Sequence, residues 1–180
     1  MGDLPEKVGA GFLFVSGGSA LLLKRSSKHN DQAWGLPGGN MEPQDRGDLL
    51  AVATREGVEE LGHLPLPHKL LGSLLTRRGK REQKHFTVFV AEVAEEVRQR
   101  YQPRLNTREH SEWAWLPLPG KTVMASSPAL QGTCQGRVMH PVVAKAFSAH
   151  HEALLQMLGA RATGQACDRS SNVCHTSEGW

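Results

Sequence analysis

Residues 34–63 read WGLPGGNMEPQDRGDLLAVATREGVEELGH, and this stretch decides the fold. It contains a Gly-Gly turn and then a segment that carries Glu56, Glu59 and Glu60. Positions three and four apart lie on one face of an α-helix, so the three carboxylates are predicted to converge on one side of a single helix. Carboxylates at this spacing repel one another unless a cation lies among them, and Mg²⁺ prefers oxygen ligands. The stretch therefore predicts a metal site.

Arg55 comes directly before the acidic cluster and four residues before Glu59, so its guanidinium can hold that carboxylate in a fixed orientation. The string EGVEE alone is more typical of a solvated acidic face. The Gly-Gly turn upstream and the single arginine favour the metal site over that alternative. The helix is predicted to begin near residues 47–48, with Asp48 as its N-cap, and to stop at Gly62. Its predicted apolar stripe consists of Leu49, Leu50, Ala53 and Leu61.

Gly39, Asp45 and residues 55–62 (REGVEELG) resemble the Nudix box, G-x5-E-x7-R-E-U-x-E-E-x-G-U, in which U is bulky and apolar. The approach WGLPGG is similar to that of MutT-type Nudix hydrolases. Predicted strands, one helix, more strands and a final helix imply a mixed sheet between helices. The resemblance identifies this arrangement as the α/β Nudix fold, a mixed β-sheet sandwiched between helices (α/β/α).

The box departs from the family pattern at the residues around its arginine and glutamates. Asp45 stands where the family has Glu, and nine residues instead of seven separate it from Arg55, so the loop before the helix is predicted to be two residues longer. Gly57 and His63 replace apolar positions, and Gly inside a helix costs about 1 kcal/mol relative to Ala. We expect these departures to affect stability and loop geometry more than the chemistry.

The resemblance implies an enzyme that hydrolyses a phosphoanhydride in a nucleoside diphosphate linked to a moiety X. It implies Mg²⁺ as the cofactor, with Mn²⁺ as a substitute. The metal ligands would be the Gly38 carbonyl and the carboxylates of Glu56, Glu59 and Glu60. Arg55 would orient the glutamates, and Glu56 is the first choice for the base that deprotonates the attacking water.

A second acidic stretch, residues 107–117 (TREHSEWAWLP), is similar to one that follows the box in many Nudix enzymes and supplies a further carboxylate to the site. Glu109 and Glu112 are the candidates for this catalytic role. Spacing alone does not choose between them, and an exposed loop acid is the alternative for each.

Substrate binding is predicted at the glycine turn and on a later strand. Gly39 lets the backbone approach a ligand closely, and Trp34 lies in the same approach. His85 and Phe86 are candidates for a base-binding pocket because aromatic rings stack on nucleobases. Core packing is the alternative for Phe86.

The substrate is predicted by elimination. Arg78 stands where many ADP-ribose hydrolases carry a proline, and the marks of diadenosine polyphosphate and coenzyme A hydrolases are missing. This leaves a MutT-like nucleoside triphosphate pyrophosphohydrolase that acts on oxidised or other noncanonical nucleotides. One alternative is an RNA 5′-pyrophosphohydrolase in which the basic residues 77–84 (RRGKREQK) hold RNA. The other is a catalytically silent Nudix domain that only binds a nucleotide or a protein.

Length, charge and composition limit the classes of protein to which the chain can belong. The 180 residues suit one domain plus a tail, and a net charge of +3 is too small to indicate general nucleic-acid binding. No apolar run approaches the roughly 20 residues that span a bilayer, so no membrane association is predicted. The three cysteines show no metal-ligand spacing, and the N-terminus lacks a signal-like apolar stretch, so a cytoplasmic location is expected. The sequence leaves homodimer formation open.

The rest of the chain supplies the expected elements. Strands are predicted over residues 10–15, 20–24, 34–36, 70–76 and 85–93. An amphipathic helix is predicted over residues 139–158, with Val142, Val143, Ala146, Phe147 and Leu154 on its apolar face. The Nudix domain is predicted to span residues 1–158, and residues 159–180, which are small and polar, to form a flexible tail.

Overall fold

The structure, a computed structural model, describes residues 4–26, 30–118, 133–134 and 136–159. Nearly all of the predicted tail, residues 160–180, lies outside the described residues. The strands are β1 (Lys7–Ser16), β2 (Ser19–Arg25), β3 (Trp34–Gly35), β4 (Gly38–Asn40), β5 (His68–Arg78), β6 (Lys84–Val93), β7 (His110–Pro117), β8 (Thr133–Cys134) and β9 (Arg137–Val138). The α-helices are α1 (Leu49–Leu61), α2 (Glu95–Arg100), α3 (Pro141–Ser148) and α4 (His151–Gly159).

Seven strands form one mixed sheet in the order β3-β2-β1-β6-β5, with β4 paired to β1 and β7 paired to β2. β1 and β6 are parallel, and the other pairs are antiparallel. Helices cover both faces of this sheet, so the predicted α/β/α arrangement is confirmed. None of the helices in the described part of the chain is long and apolar enough to cross a membrane.

Side chains alternate between the two faces because successive residues of a strand point in opposite directions. Phe12 and Phe14 of β1 pack with Val52 and Leu61 on the face that α1 covers. The residues between and beyond them, Leu13 and Val15, join the core on the opposite face. That second core includes Trp34, Leu74, Phe86, Val143, Phe147 and Leu154.

Helix α1 begins and ends where the sequence predicts. The side chain of Asp48 accepts hydrogen bonds from the backbone N–H groups of Leu50, at 2.8 Å, and Ala51, at 3.2 Å. Gly62 ends the helix with φ at 77°. The apolar stripe was predicted incorrectly at one position, since Leu50 lies in the exposed first turn and Val52 is buried instead.

The C-terminal helical segment is two helices and not one, because α3 ends at Ser148 and α4 begins at His151. The Ser148 hydroxyl donates to the Ala144 carbonyl at 2.8 Å, and such a bond competes with the backbone ladder and favours a bend. The prediction of a continuous helix over residues 139–158 is therefore wrong. All five residues predicted for its apolar face are nevertheless buried.

Gly57 lies where the box normally has a bulky apolar side chain, and a neighbouring loop supplies the missing bulk. A Cβ added at Gly57 would lie 2.7 Å from Cδ2 of Leu64 and 3.9 Å from Cδ2 of Phe12. Leu64 is buried in the core that α1 covers. The departure at Gly57 is thus matched by a side chain seven residues later in the sequence.

This packing predicts coupling between the two positions. We expect Gly57→Leu to destabilise the protein by about 1–3 kcal/mol through overpacking, and Leu64→Ala by about 2–5 kcal/mol through a cavity. The double variant should lose less stability than the sum of the two single losses, by about 1 kcal/mol or more. The added leucine at position 57 would fill the cavity that Leu64→Ala leaves. Urea unfolding of the four proteins measures this, and additivity within about 0.5 kcal/mol would contradict it.

Candidate metal and catalytic site

The site is built where α1 meets the glycine strand β4. Gly38 has φ at 153°, and a Cβ there would lie 2.4 Å from the Gly11 Cα. A Cβ at Gly39 would lie 2.3 to 2.5 Å from the three carboxyl atoms of Glu56. Real Cβ atoms do not approach other atoms so closely, so only glycine at position 39 leaves room for that carboxylate against the backbone.

Arg55 connects the elements around this contact. Its Nε and Nη2 donate to the two carboxyl oxygens of Asp45, both at 3.0 Å, and Nη2 also donates to the Asn40 carbonyl at 3.0 Å. Its Nη1 donates to Glu56 at 3.0 Å and lies 3.4 Å from Glu59. The hydrogen bonds from Arg55 hold the pKa of Asp45 below its usual range. The guanidinium thus fixes Glu56 more closely than Glu59.

The longer box loop is accommodated by a 3-10 turn over Pro43–Asp45. The backbone N–H of Glu42 donates to the Asp45 carboxylate at 2.7 Å, which closes a capping box. Arg46 and Gly47 then adopt φ values of 50° and 82°, which return the chain to the start of α1. Although Asp is one methylene shorter than Glu, this turn brings Asp45 close enough for a two-bond pair with the arginine.

The three glutamates of α1 differ in their surroundings. Burial raises the pKa of Glu56, Arg55 opposes that effect, and the charges of Glu60 and Glu59 add to it. The side chain of Glu59 is 55% exposed. Glu60 is 3% exposed. The carboxylates share one region, but they are not the equivalent cluster that the helical spacing predicts, because each has a different partner.

Glu60 points away from Arg55, toward β4 and β7. Its Oε2 accepts a hydrogen bond from the Gly38 N–H at 2.8 Å, and its Oε1 lies 2.8 Å from Nε2 of His110. One possible ligand atom from each of Glu60, Glu109 and His110 lies within 4.8 Å of the others. Both oxygens of Glu60 are therefore positioned by the protein.

His110 is the site residue that the sequence reasoning missed. It is 1% exposed, and its Nδ1 has no hydrogen-bond partner among the described residues. The only signal was its place directly after Glu109, at the start of β7. Nothing local indicates a contact with a glutamate 50 residues earlier.

The two late carboxylates lie in different surroundings. Glu109 is exposed and joins Glu60 and His110, and the Asn106 amide donates to it at 3.2 Å. Glu112 lies on β7, where its half-exposed carboxylate is 3.5 Å from the Lys24 ammonium. The geometry thus separates two residues that spacing alone left equivalent, and it favours Glu109.

Two of the predicted substrate-binding residues do not present a ring to a ligand. Trp34 and Phe86 are 5% and 8% exposed and pack in the core on the α3 side. His85 precedes Phe86 on β6 and therefore points to the opposite face, so the two cannot line one pocket. Gly39 remains at the predicted turn, beside Glu56.

The basic segment of residues 77–84 is not one free loop. Arg77 and Arg78 end β5, and Lys84 begins β6. Arg81 is 2.6 Å from the Glu6 carboxylate. Part of the charge that would attract RNA is thus paired with an acidic residue.

Comparisons with known proteins bear on the family and the fold. A family model of the NUDIX domain matches residues 5–120. The structure is similar to a Nudix hydrolase from M. smegmatis, RenU, at 19% identity and a TM-score of 0.60, over 93% of this chain and 92% of that chain. It is also similar to the MutT protein from Methanosarcina mazei, at 21% identity and a TM-score of 0.54, over 84% of this chain and 97% of that chain. A C. elegans Ap4A hydrolase is similar at 20% identity and a TM-score of 0.53, over 88% of this chain and 98% of that chain. At these identities the likeness concerns the fold.

The contact between His110 and Glu60 yields a prediction about divalent-ion binding. Residues that orient a metal ligand from behind typically contribute about 10–100-fold to affinity. We expect His110→Ala to weaken Mn²⁺ binding, measured by electron paramagnetic resonance, by that factor. His110→Gln places an amide N–H near the same point and should retain most of the affinity. Equal affinity in wild type and His110→Ala would refute a positioning role, and equal loss in both variants would indicate a packing role only.

Proposed function

The chain belongs to the Nudix family and is a Nudix hydrolase acting on nucleoside diphosphate-X compounds, and we propose that it is a Mg²⁺-dependent nucleoside triphosphate pyrophosphohydrolase. Its products would be a nucleoside monophosphate and pyrophosphate, and oxidised or other noncanonical nucleotides are the candidate substrates. The observation that carries the proposal is the packing of Glu56 and Glu60 against the Gly38–Gly39 backbone, with Arg55 hydrogen-bonded to Glu56.

The residues of the site fit a hard divalent cation. The candidate ligands are carboxylate oxygens and a backbone carbonyl, which is the donor set that Mg²⁺ prefers. Because residue 39 is glycine, the Glu56 carboxylate occupies the space that a Cβ would otherwise fill. We propose Glu56, Glu59, Glu60 and the Gly38 carbonyl as the residues that hold the ion, with Glu109 as a further carboxylate on the β7 side.

The chemistry that Mg²⁺ supplies when bound is neutralisation of the phosphate charge and a lowered pKa for water. Within the chain, Glu56 is the proposed base. Burial gives it a raised pKa and hence a greater affinity for the proton of the attacking water, and the Nη1 of Arg55 holds its Oε1 at 3.0 Å. Glu109 is the reserve candidate because it lies beside Glu60, whereas Glu112 pairs with Lys24.

The triphosphate assignment rests on elimination, because Arg78 occupies the position of the proline in many ADP-ribose hydrolases and the marks of diadenosine polyphosphate and coenzyme A hydrolases are missing. Half-buried at the end of β5, Arg78 adds positive charge to the molecule on the α3 side of the sheet. A substrate with more phosphate charge than a diphosphate sugar would benefit from that charge.

Substitution of Glu60 tests the proposal most economically. We expect Glu60→Gln to keep the fold, because the amide matches the carboxylate in shape, and to reduce Mg²⁺-dependent release of pyrophosphate by about a hundredfold or more. A panel of nucleoside triphosphates with a pyrophosphate assay provides the measurement. Glu112→Gln is the matched control and should leave activity unchanged.

Retention of activity in Glu60→Gln with the same Mg²⁺ dependence would remove Glu60 from the site. Absence of hydrolysis in the wild type across the whole triphosphate panel would contradict the proposed substrate class. Hydrolysis of diphosphate sugars instead would keep the enzyme class and replace the substrate.

A further inference from the structure

A second polar site lies on the α3 side of the sheet, and we call it the cationic pocket. It comprises Arg25 at the end of β2, Arg78 at the end of β5 and His140 directly before α3. The backbone N–H of His140 donates to the Trp34 carbonyl at 2.8 Å, and that of Arg25 donates to the Ala33 carbonyl at 2.9 Å. The first bond attaches His140 to the strand β3, and the second attaches Arg25 to the residue directly before β3.

The positive charges act on His140 directly. The pKa of His140 is lowered to about 4, mainly by burial and further by the positive charges of Arg25 and Arg78. Neutral His140 then accepts the Val142 N–H through Nδ1 at 3.4 Å, which caps α3. The imidazole therefore remains uncharged at neutral pH, and Arg78 is the group whose charge is available to a ligand.

Arg78 lacks a compensating anion in the described part of the chain. It lies on the same face of β5 as Leu74 and Thr76, which are buried, and its Nε is buried without a hydrogen-bond partner. Burial alone lowers its pKa, with no carboxylate acting in the opposite direction. A half-buried charge without a partner costs free energy, so an anionic ligand would offset that cost.

The cationic pocket lies close to the proposed metal site. A Cβ added at Gly35 would be 3.5 Å from the Cβ of His140. Gly35 precedes Gly38 by three residues, and a chain of that length spans at most about 11 Å. An anionic group in the pocket would thus be within one nucleotide's length of a diphosphate at the glycine turn.

We propose that the cationic pocket binds a phosphoryl group of the substrate in addition to the two that flank the cleaved bond. This inference rests on the proposed function, since it concerns the same substrate. A guanidinium donates two parallel hydrogen bonds to phosphate, and its charge is permanent. The third phosphoryl group has two possible sources: the terminal phosphate of a nucleoside triphosphate, or a phosphate on a sugar of the X moiety.

Pairs of compounds that differ by one phosphoryl group test the proposal and distinguish the two sources. ATP and ADP differ at the chain terminus. NADP⁺ and NAD⁺, and coenzyme A and dephospho-coenzyme A, differ at a sugar. The wild type should show a kcat/KM about tenfold or more higher for the more phosphorylated member in at least one class, which is the contribution of one charged hydrogen bond.

Arg78→Met removes the charge and keeps the apolar stem, so the preference should disappear while the melting temperature stays equal or rises. Arg81→Gln is the control, because Arg81 is exposed and paired with Glu6, and it should keep the preference. Calorimetry without metal provides a readout independent of hydrolysis: the wild type should bind adenosine 3′,5′-bisphosphate about tenfold more tightly than AMP, and Arg78→Met should not.

Hydrolysis by the wild type without discrimination in any pair would overturn the cationic pocket and leave the proposed function intact. Retention of the preference in Arg78→Met would overturn it as well. If the wild type hydrolyses neither these compounds nor any member of the triphosphate panel, the proposed function fails, and the calorimetric comparison then decides whether the pocket binds phosphate.

Discussion

The closeness of α1 to the strand β4 is the constraint on which the rest of the molecule depends. The carboxylate of Glu56 reaches the backbone of β4 because residue 39 is glycine, and glycine at position 38 lets β4 lie close against β1. At Gly38 the backbone N–H donates to Glu60, and at Gly39 the missing side chain leaves room for Glu56. Anionic oxygens are thereby held in a half-buried site where a cation can offset their mutual repulsion. The sheet and the two cores keep these two elements at the required distance.

The protein keeps this geometry although its box differs from the family pattern, and at Asp45 and Gly57 a neighbouring part of the chain makes up the difference. Asp45 is shorter than Glu, and the 3-10 turn before it carries its carboxylate to Arg55. Gly57 lacks a side chain, and Leu64 fills the space above it. Arg55 and the three glutamates match the family pattern, and they are the residues to which the resemblance assigns the chemistry.

Sequence patterns among nearby residues were sufficient to predict most helices and strands and the family. They were not sufficient to predict which side chains contact one another within the site. Asp48 and Gly62 marked the ends of α1 because capping depends on residues close in the sequence. Helical spacing correctly placed Glu56, Glu59 and Glu60 on one helix. It could not show that Glu60 turns toward His110, since that contact joins residues 50 positions apart and depends on how β7 pairs with β2. Tertiary packing likewise buries Phe86, whose aromatic ring alone suggested a ligand pocket.

The most direct test of the central claim is the Mn²⁺ affinity of Gly39→Ala, measured by electron paramagnetic resonance alongside the melting temperature. Position 39 is a strand position, and its backbone conformation is not one that requires glycine, so alanine should fold. Its Cβ would occupy the space of the Glu56 carboxylate and displace it by about 1 Å, which we expect to weaken binding by about a hundredfold at an unchanged melting temperature. Wild-type affinity in Gly39→Ala would contradict the account.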